Sequence, residues 1–206
     1  MCISYHWLQI SSIDKRIIMA KFWTEFISNP KEVGFPVTCS AETAGRMADA
    51  VTIKNAQAVI EFGPGTGVVT KEILSRIPEG CKFFAIEINA KLAEATHKKT
   101  GAKVYVDSCA NVAQYMYENN MATCDAIVCT IPWALLKPEE TTHILDAVMA
   151  ALPKGGRFVT VGLIHGKNSP GGRRLLKALK ARFSSTEKSK TIWNNFPPAF
   201  YYLCVK

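Results

Sequence analysis

Acid is scarce in the last quarter of the chain: residues 151–206 hold one acidic residue, Glu187, against eleven Lys and Arg. Residues 1–150 hold 16 Asp and Glu against 14 Lys and Arg, so the net charge of +8 comes entirely from that last segment. Such a segment is either a solvated basic face or a surface for an anionic partner, whether membrane, nucleic acid or acidic metabolite. Long apolar runs are also missing; none approaches the roughly 18–20 residues of a membrane span. The opening MCISYHWLQISSIDKRIIM lacks a basic head, a long apolar core and a small-residue cleavage site, so no secretory signal is expected. No CxxC pair occurs among the seven cysteines, at 2, 39, 81, 109, 124, 129 and 204. Neither a zinc site nor a disulfide framework is expected, and a reducing, cytoplasmic compartment fits better, with most cysteines serving as small buried hydrophobes. His6, His97 and His143 read as surface residues, and no metal site is expected. Internal repeats and low-complexity tracts are absent.

What is present is one domain's worth of alternating elements in 206 residues. Residues 14–28, DKRIIMAKFWTEFIS, have the apolar spacing of an amphipathic helix, closed by Asn29-Pro30. SAETAGRMADAV (40–51) opens with a capping-box signature at Ser40 and predicts a second helix. Strands are predicted at 56–62, 81–88, 103–107, 124–131 and 156–164, and helices at 70–77, 90–99, 110–120 and 139–152. The near-continuous Val, Ile and Phe runs suit strands covered on both faces, and repeated βα units of this length make a doubly wound parallel α/β sheet. A basic amphipathic helix follows at 173–183, which we expect to pack on the sheet. Strands at 188–193 and 200–206 come last. Asn194-Asn195-Phe196-Pro197-Pro198 between them is too short for a crossover helix, so this pair must be antiparallel.

The chemistry concentrates in EFGPGTG, residues 61–67. A Walker phosphate loop needs Gly-Lys-Ser/Thr five residues after its first glycine, and Gly63 has none. A dinucleotide fingerprint needs GxGxxG, whereas Gly63, Gly65 and Gly67 give GxGxG, a tighter turn with less room for a pyrophosphate. Glu61, at the carboxyl end of a buried strand, would repel a pyrophosphate but favour an ammonium and a nearby sulfonium. Glu87 ends the second strand, where a carboxylate can accept both hydroxyls of a ribose. Asp107-Ser108 ends the third, placed for an adenine amino group. One such acid is ordinarily a helix cap or loop charge. Three on successive strand ends after this loop point to S-adenosylmethionine.

In this order of features the sequence resembles the Rossmann-like S-adenosylmethionine-dependent methyltransferases from about residue 35 to the end. The resemblance implies a seven-stranded, mostly parallel sheet with an antiparallel last strand. It divides the chain into an N-terminal extension with its amphipathic helix (1–34) and a methyltransferase domain (35–206). The cofactor-binding set it implies is Glu61, Gly63, Pro64, Gly65, Thr66, Gly67, Glu87, Ile88, Asp107, Ser108 and Thr130.

Four segments carry a narrower likeness: KFWTEFISNPKEVGFP, EFGPGTGVVTKEIL, CTIPW and WNNFPPAFYYL together resemble the bacterial phospholipid N-methyltransferases. Those enzymes methylate phosphatidylethanolamine, and relatives act on other aminolipids. The rRNA adenine dimethyltransferases are more distant. They carry Asn/Asp-x-Pro-Tyr/Phe after the fourth strand, where this chain has Thr130-Ile131-Pro132-Trp133 and so lacks the usual grip on an adenine amino group. Two departures from the lipid enzymes are Pro36-Val37-Thr38-Cys39-Ser40 and Ile164-His165-Gly166, either of which points to a different amine. The expected partner is thus an aminolipid or small-molecule amine, with nucleic acid less favoured. The basic C-terminal quarter and the 14–28 helix are expected to touch the inner membrane face from the cytoplasm. A methyltransferase for a soluble amine or for rRNA is the alternative, and a non-catalytic S-adenosylmethionine-binding protein a third. His165, ending the fifth strand, is the candidate base, and Pro132 and Trp133 are expected to line the acceptor side by analogy. Residues 1–18 are expected to be poorly ordered or peripheral, so that their deletion leaves activity intact.

Overall fold

The computed structural model describes residues 39–206. The 14–28 helix and the 1–34 extension lie outside them. In chain order the elements are α1 (Ala41–Ala50), β1 (Ala58–Phe62), α2 (Val68–Leu74), β2 (Lys82–Glu87), α3 (Ala90–Thr100), β3 (Val104–Val106), α4 (Val112–Glu118), β4 (Ala126–Cys129), α5 (Pro138–Ala151), β5 (Arg157–Leu163), α6 (Pro170–Arg182), β6 (Ser185–Lys188) and β7 (Ala199–Val205). The strands form a seven-stranded sheet in the order β3-β2-β1-β4-β5-β7-β6. β1 to β5 pair in parallel, and β7 runs antiparallel to both its neighbours. This is the doubly wound, mostly parallel sheet that the repeated βα units predict.

Strand alternation splits the core between two faces. Ile60 and Phe62 of β1 join Phe84, Ile86, Ile127 and Phe158 in a cluster covered by α4, α5 and α6. Val59, Val128 and Val159 point the other way, onto Met47 of α1 and Ile73 of α2. Every residue of β1 and β4 is buried, as central strands with helices on both faces must be. The same alternation sends Glu61 to the face of α1 and α2. The chain progresses outward from β1 to β3 on one side and from β4 to β5 on the other, which puts the crevice of the switch point at the carboxyl ends of β1 and β4.

Two local expectations need correction. The sixth strand is Ser185–Lys188, not 188–193, and Ile192 contributes only an isolated bridge to Ala199. The cause is Ser189: its hydroxyl accepts the Tyr201 N–H at 3.0 Å in place of a ladder carbonyl, which breaks the pairing there. At α1, Ser40 Oγ caps the Thr43 N–H at 3.1 Å, but the reciprocal half of a capping box is missing. The Ser40 N–H donates instead to Asn195 Oδ1 at 2.8 Å, and Thr43 Oγ1 donates to the same oxygen at 3.0 Å. Asn195, 2% exposed, thereby ties the start of α1 to the β6–β7 connection.

Candidate active site

The glycine loop leaves β1 with Gly63, Gly65 and Gly67 all in the left-handed region, at φ 74°, 55° and 76°. A side chain at Gly63 would also meet Ile131 Cγ2 at 2.9 Å, so both conformation and space demand glycine there. The loop is held from outside itself. Thr130 Oγ1 donates to the Gly63 carbonyl at 2.5 Å, Thr96 Oγ1 to the Gly65 carbonyl at 2.7 Å, and Lys99 Nζ to the Thr66 carbonyl at 2.9 Å. Pro64 is buried beneath the turn, and its carbonyl accepts the Gly67 N–H at 2.9 Å, where α2 begins. Thr96 and Lys99, on one face of α3, are site-building residues that sequence reasoning missed; a helix face of ordinary polar residues carries no signal of what it supports.

Glu61 is fully buried, and among the described residues neither carboxylate oxygen has a hydrogen-bond partner. Burial pushes its pKa up to about 8. The Thr70 hydroxyl opposes this in part without closing a bond of normal geometry, and the Glu87 charge adds to it. An orphaned carboxyl beside a glycine cradle is what a cationic ligand group would satisfy. Burial also raises the pKa of Glu87, against the backbone N–H groups of Asn89, Gly65 and Ile88. Its oxygens accept from Gly65 N at 3.1 Å and Asn89 N at 3.0 Å, so the second acid is tied to the loop that follows the first. Beyond it Ile88 stands 72% exposed, and Val106, at the end of the next strand, 54%. Two bare apolar side chains at adjacent strand ends offer a surface for a flat apolar group.

Asp107 is less open than expected. Asn111 Nδ2 donates to both its oxygens at 3.0 Å, Tyr115 Oη to Oδ2 at 2.7 Å and Ser108 N to Oδ1 at 2.6 Å. The Asn111, Tyr115 and Ser108 donors together hold its pKa below the usual carboxylate range. Its first job is to cap the β3–α4 corner, where the Ser108 hydroxyl accepts from Ala110 N at 3.3 Å.

The placement of Trp133 is a correction. It is 6% exposed, its Nε1–H donates to Thr160 Oγ1 at 2.7 Å, and its ring meets Phe158 edge-on at 6.4 Å. It is a core residue under the loop after β4 rather than a ring offered to an acceptor, because the indole finds both an apolar bed and an acceptor inside. Pro132 is half-buried beside it. His165 lies exposed in a short 3-10 turn at the end of β5, and partial desolvation lowers its pKa. Among the described residues no group of three or more His, Cys, Asp or Glu is placed to hold a metal, and no helix is long and apolar enough to cross a membrane. A shallow groove of about 360 Å³ between Asn55 and Lys82 lies at the opposite, amino end of the strands, away from these groups.

Comparison with known proteins agrees with this geometry. Residues 59–156 match the family model described as "Methyltransferase domain" (Methyltransf_25). The chain superposes on an O-methyltransferase from Bacillus cereus in complex with SAH with a TM-score of 0.68, 13% identity and coverage of 95% of this chain and 98% of that one. For the O-methyltransferase TomG from Streptomyces achromogenes in complex with SAM, the TM-score is 0.67 at 15% identity, over 100% of both chains. The fold is the Rossmann-like one of these structures, and with the methyltransferase-domain match over residues 59–156 it supports an enzyme that uses S-adenosylmethionine.

Two curated relatives are similar to parts of the chain. The chain is 22% identical over 155 residues to the ornithine lipid N-methyltransferase of Singulisphaera acidiphila, covering 73% of this chain and 77% of that protein. It is 27% identical over 93 residues to a probable dimethyladenosine transferase of Dictyostelium discoideum, but that match spans only 45% of this chain and 28% of the relative's length.

Proposed function

We propose that this methyltransferase acts on the amine of a phospholipid or related aminolipid such as phosphatidylethanolamine. The observation that carries the reading is the loop after β4. Its hydrogen-bonding side chains are both committed inside, Thr130 to the Gly63 carbonyl and Trp133 to Thr160, and Ile131 and Pro132 offer no amide or carboxylate to grip a base edge. An amine needs no edge recognition; backbone carbonyls and an apolar wall suffice. The likeness to the ornithine lipid N-methyltransferase along most of both chains supports this. The second reading, methylation of rRNA, draws on the shorter likeness to the dimethyladenosine transferase and on the basic last quarter.

Bound S-adenosylmethionine supplies a methyl group on an electrophilic sulfonium with a neutral thioether as leaving group. The chain therefore needs no acid on the leaving side; its work is alignment and exclusion of water. Glu61 would hold the cofactor's ammonium and Glu87 its ribose hydroxyls, with the exposed Ile88 available to the adenine; Asp107 and Ser108 fix the β3–α4 corner beside them.

On the acceptor side the amine must be neutral to attack, and an alkylammonium with a pKa of about 10 is mostly charged at neutral pH. His165, whose pKa partial desolvation lowers, would take that proton. The neutral nitrogen would then be able to take the methyl group, and the resulting methylammonium would release its next proton to water. The deciding experiment offers methyl-labelled cofactor with phosphatidylethanolamine, free ethanolamine and an rRNA hairpin in parallel. Label in the lipid is expected; label only in RNA, or in none of the three, overturns the proposal.

A further inference from the structure

Gly65 is gripped at both ends of its backbone by one strand–helix unit. Its N–H donates to Glu87 Oε2 at 3.1 Å, at the end of β2, and its carbonyl accepts from Thr96 Oγ1 at 2.7 Å, midway along α3. The unit is closed on itself. Glu87 Oε1 accepts the Asn89 N–H at 3.0 Å, and Asn89 Oδ1 caps α3 by accepting the Leu92 N–H at 3.1 Å. The acid that ends the strand thus holds the loop from one side and helps launch the helix that holds it from the other.

Three residues of α3 meet the loop, at the i, i+3, i+4 spacing that shares one side of a helix. Thr96 is fully buried, and a hydroxyl within a helix ordinarily bonds back to a carbonyl one turn earlier; here it reaches the loop, 31 residues away. The exposed Lys99 donates from Nζ to the Thr66 carbonyl at 2.9 Å. Thr100 packs on Gly67, where an added Cβ would meet Thr100 Cγ2 and Thr96 Cγ2 at 3.3 Å each. Gly65 is different: among the described residues a Cβ there would meet nothing nearer than the Gly63 carbonyl at 4.0 Å. The loop is clamped where it faces α3 and leaves room for a ligand at its middle glycine.

We infer that α3 is a latch on the cofactor loop, with Thr96 and Lys99 as positioning residues that hold the Gly65 and Thr66 carbonyls in the binding geometry while the Glu87 carboxylate serves the ribose. The inference rests on the reading of Glu87 as the ribose acid. A ribose diol draws on the same oxygens that accept the Gly65 and Asn89 N–H groups, so the cofactor and the loop compete for Glu87. Gly65, without a side chain, gains much backbone freedom when one hold is loosened. Its second hold does not pass through Glu87 and is left intact. The loop is preorganised, and binding is spared the entropy of ordering a run rich in glycine.

The test uses the full chain, cofactor-free and with S-adenosylmethionine alone, so that no acceptor enters it. Thr96→Val keeps the shape and removes the donor. Amide exchange at Gly65, Thr66 and Gly67 of the cofactor-free protein should quicken about fivefold to tenfold, and calorimetric affinity for S-adenosylmethionine should fall by a similar factor, the equivalent of one buried hydrogen bond. Thr96→Ser should restore both. In case the buried variant fails to fold, Lys99→Met, at an exposed position, should weaken cofactor binding about twofold to threefold, and Lys99→Arg should recover it. Unchanged affinity in a folded Thr96→Val overturns the latch; should that variant not fold, unchanged affinity in Lys99→Met does so. A loss that the Ser or Arg variant does not recover also overturns it, since a merely structural role would give that result. Unchanged affinity in Glu87→Gln beside a recoverable loss in Thr96→Val would sink the ribose reading of Glu87 and leave the latch standing.

Discussion

Replacing Glu61 by Gln should stabilise the cofactor-free protein at alkaline pH and weaken cofactor binding at the same time. The carboxyl is fully buried, among the described residues its oxygens have no partner, and its pKa stands at about 8 against an ordinary 4.5. Below 4.5 it is protonated in both folded and unfolded chains and favours neither. Between 4.5 and about 8 the unfolded chain gives up the proton and the folded chain keeps it, so stability falls as pH rises through this window. The full gap corresponds to roughly 5 kcal/mol above pH 8, of which roughly 3 kcal/mol is lost between about pH 5.5 and pH 8. The Glu61→Gln variant lacks this term. Its unpaired amide has a constant cost that cancels when one protein is compared at two pH values.

The assay is urea unfolding of both proteins without cofactor at those two pH values. The parent should lose roughly 3 kcal/mol more than the variant on going alkaline, less whatever part water entering the pocket recovers. Calorimetry closes the argument. At neutral pH the parent should release close to one proton on binding S-adenosylmethionine, while the variant releases none and binds about 10–100-fold more weakly. Identical pH dependence in the two proteins, together with identical affinity, would refute the pairing of Glu61 with a cationic ligand group.

Three further changes probe the frame around that carboxyl. Glu87→Gln keeps an acceptor for the Gly65 or Asn89 N–H but removes the charge, so cofactor affinity should fall at least about tenfold with little change in melting temperature, measured by calorimetry and thermal unfolding. Thr130→Val is nearly isosteric and deprives the Gly63 carbonyl of its donor, which should cost about 1–2 kcal/mol in urea unfolding and raise KM for the cofactor more than it lowers kcat. Asn195→Ala strips two accepted bonds and one donated bond from a buried site and should cost about 2–3 kcal/mol, with faster amide exchange at Ser40 and Thr43 as the local readout.

The sheet was legible in the sequence because buried parallel strands announce themselves as unbroken Val, Ile and Phe runs, and the five β-strands before residue 164 lie within the predicted ranges. The glycine loop was legible because its three glycines follow a strand and precede a helix, and each does adopt a positive φ. What stayed hidden was pairing. Nothing in the order of residues says that Asn195 closes the N-terminus of α1 from 152 residues away, or that Thr96 and Lys99 hold carbonyls of the glycine loop. Nor could a local pattern foresee that the Ser189 hydroxyl would displace a ladder carbonyl and end β6 early. Trp133 was misjudged for a related reason: a Trp beside a proline in a loop looks available, and only the position of Thr160 on the neighbouring strand shows that its N–H is satisfied inside.

That pattern of satisfied side chains bears on how an acceptor can be selected. Along the edge where it must arrive, Thr130 is bonded to Gly63, Trp133 to Thr160, and Asn195 to Ser40, Thr43 and Pro197. An acceptor recognised by donors and acceptors at its rim would have to break these bonds, each costing about 1 kcal/mol or more. The remaining means of discrimination are apolar contact, positive charge and the partly desolvated His165, which suit the proposed amine acceptor better than a base that must be read along its edge. If the acceptor is the proposed aminolipid, specificity of this kind would reside in where the enzyme sits, and an acceptor headgroup freed from its lipid should compete poorly however closely it copies the reacting amine.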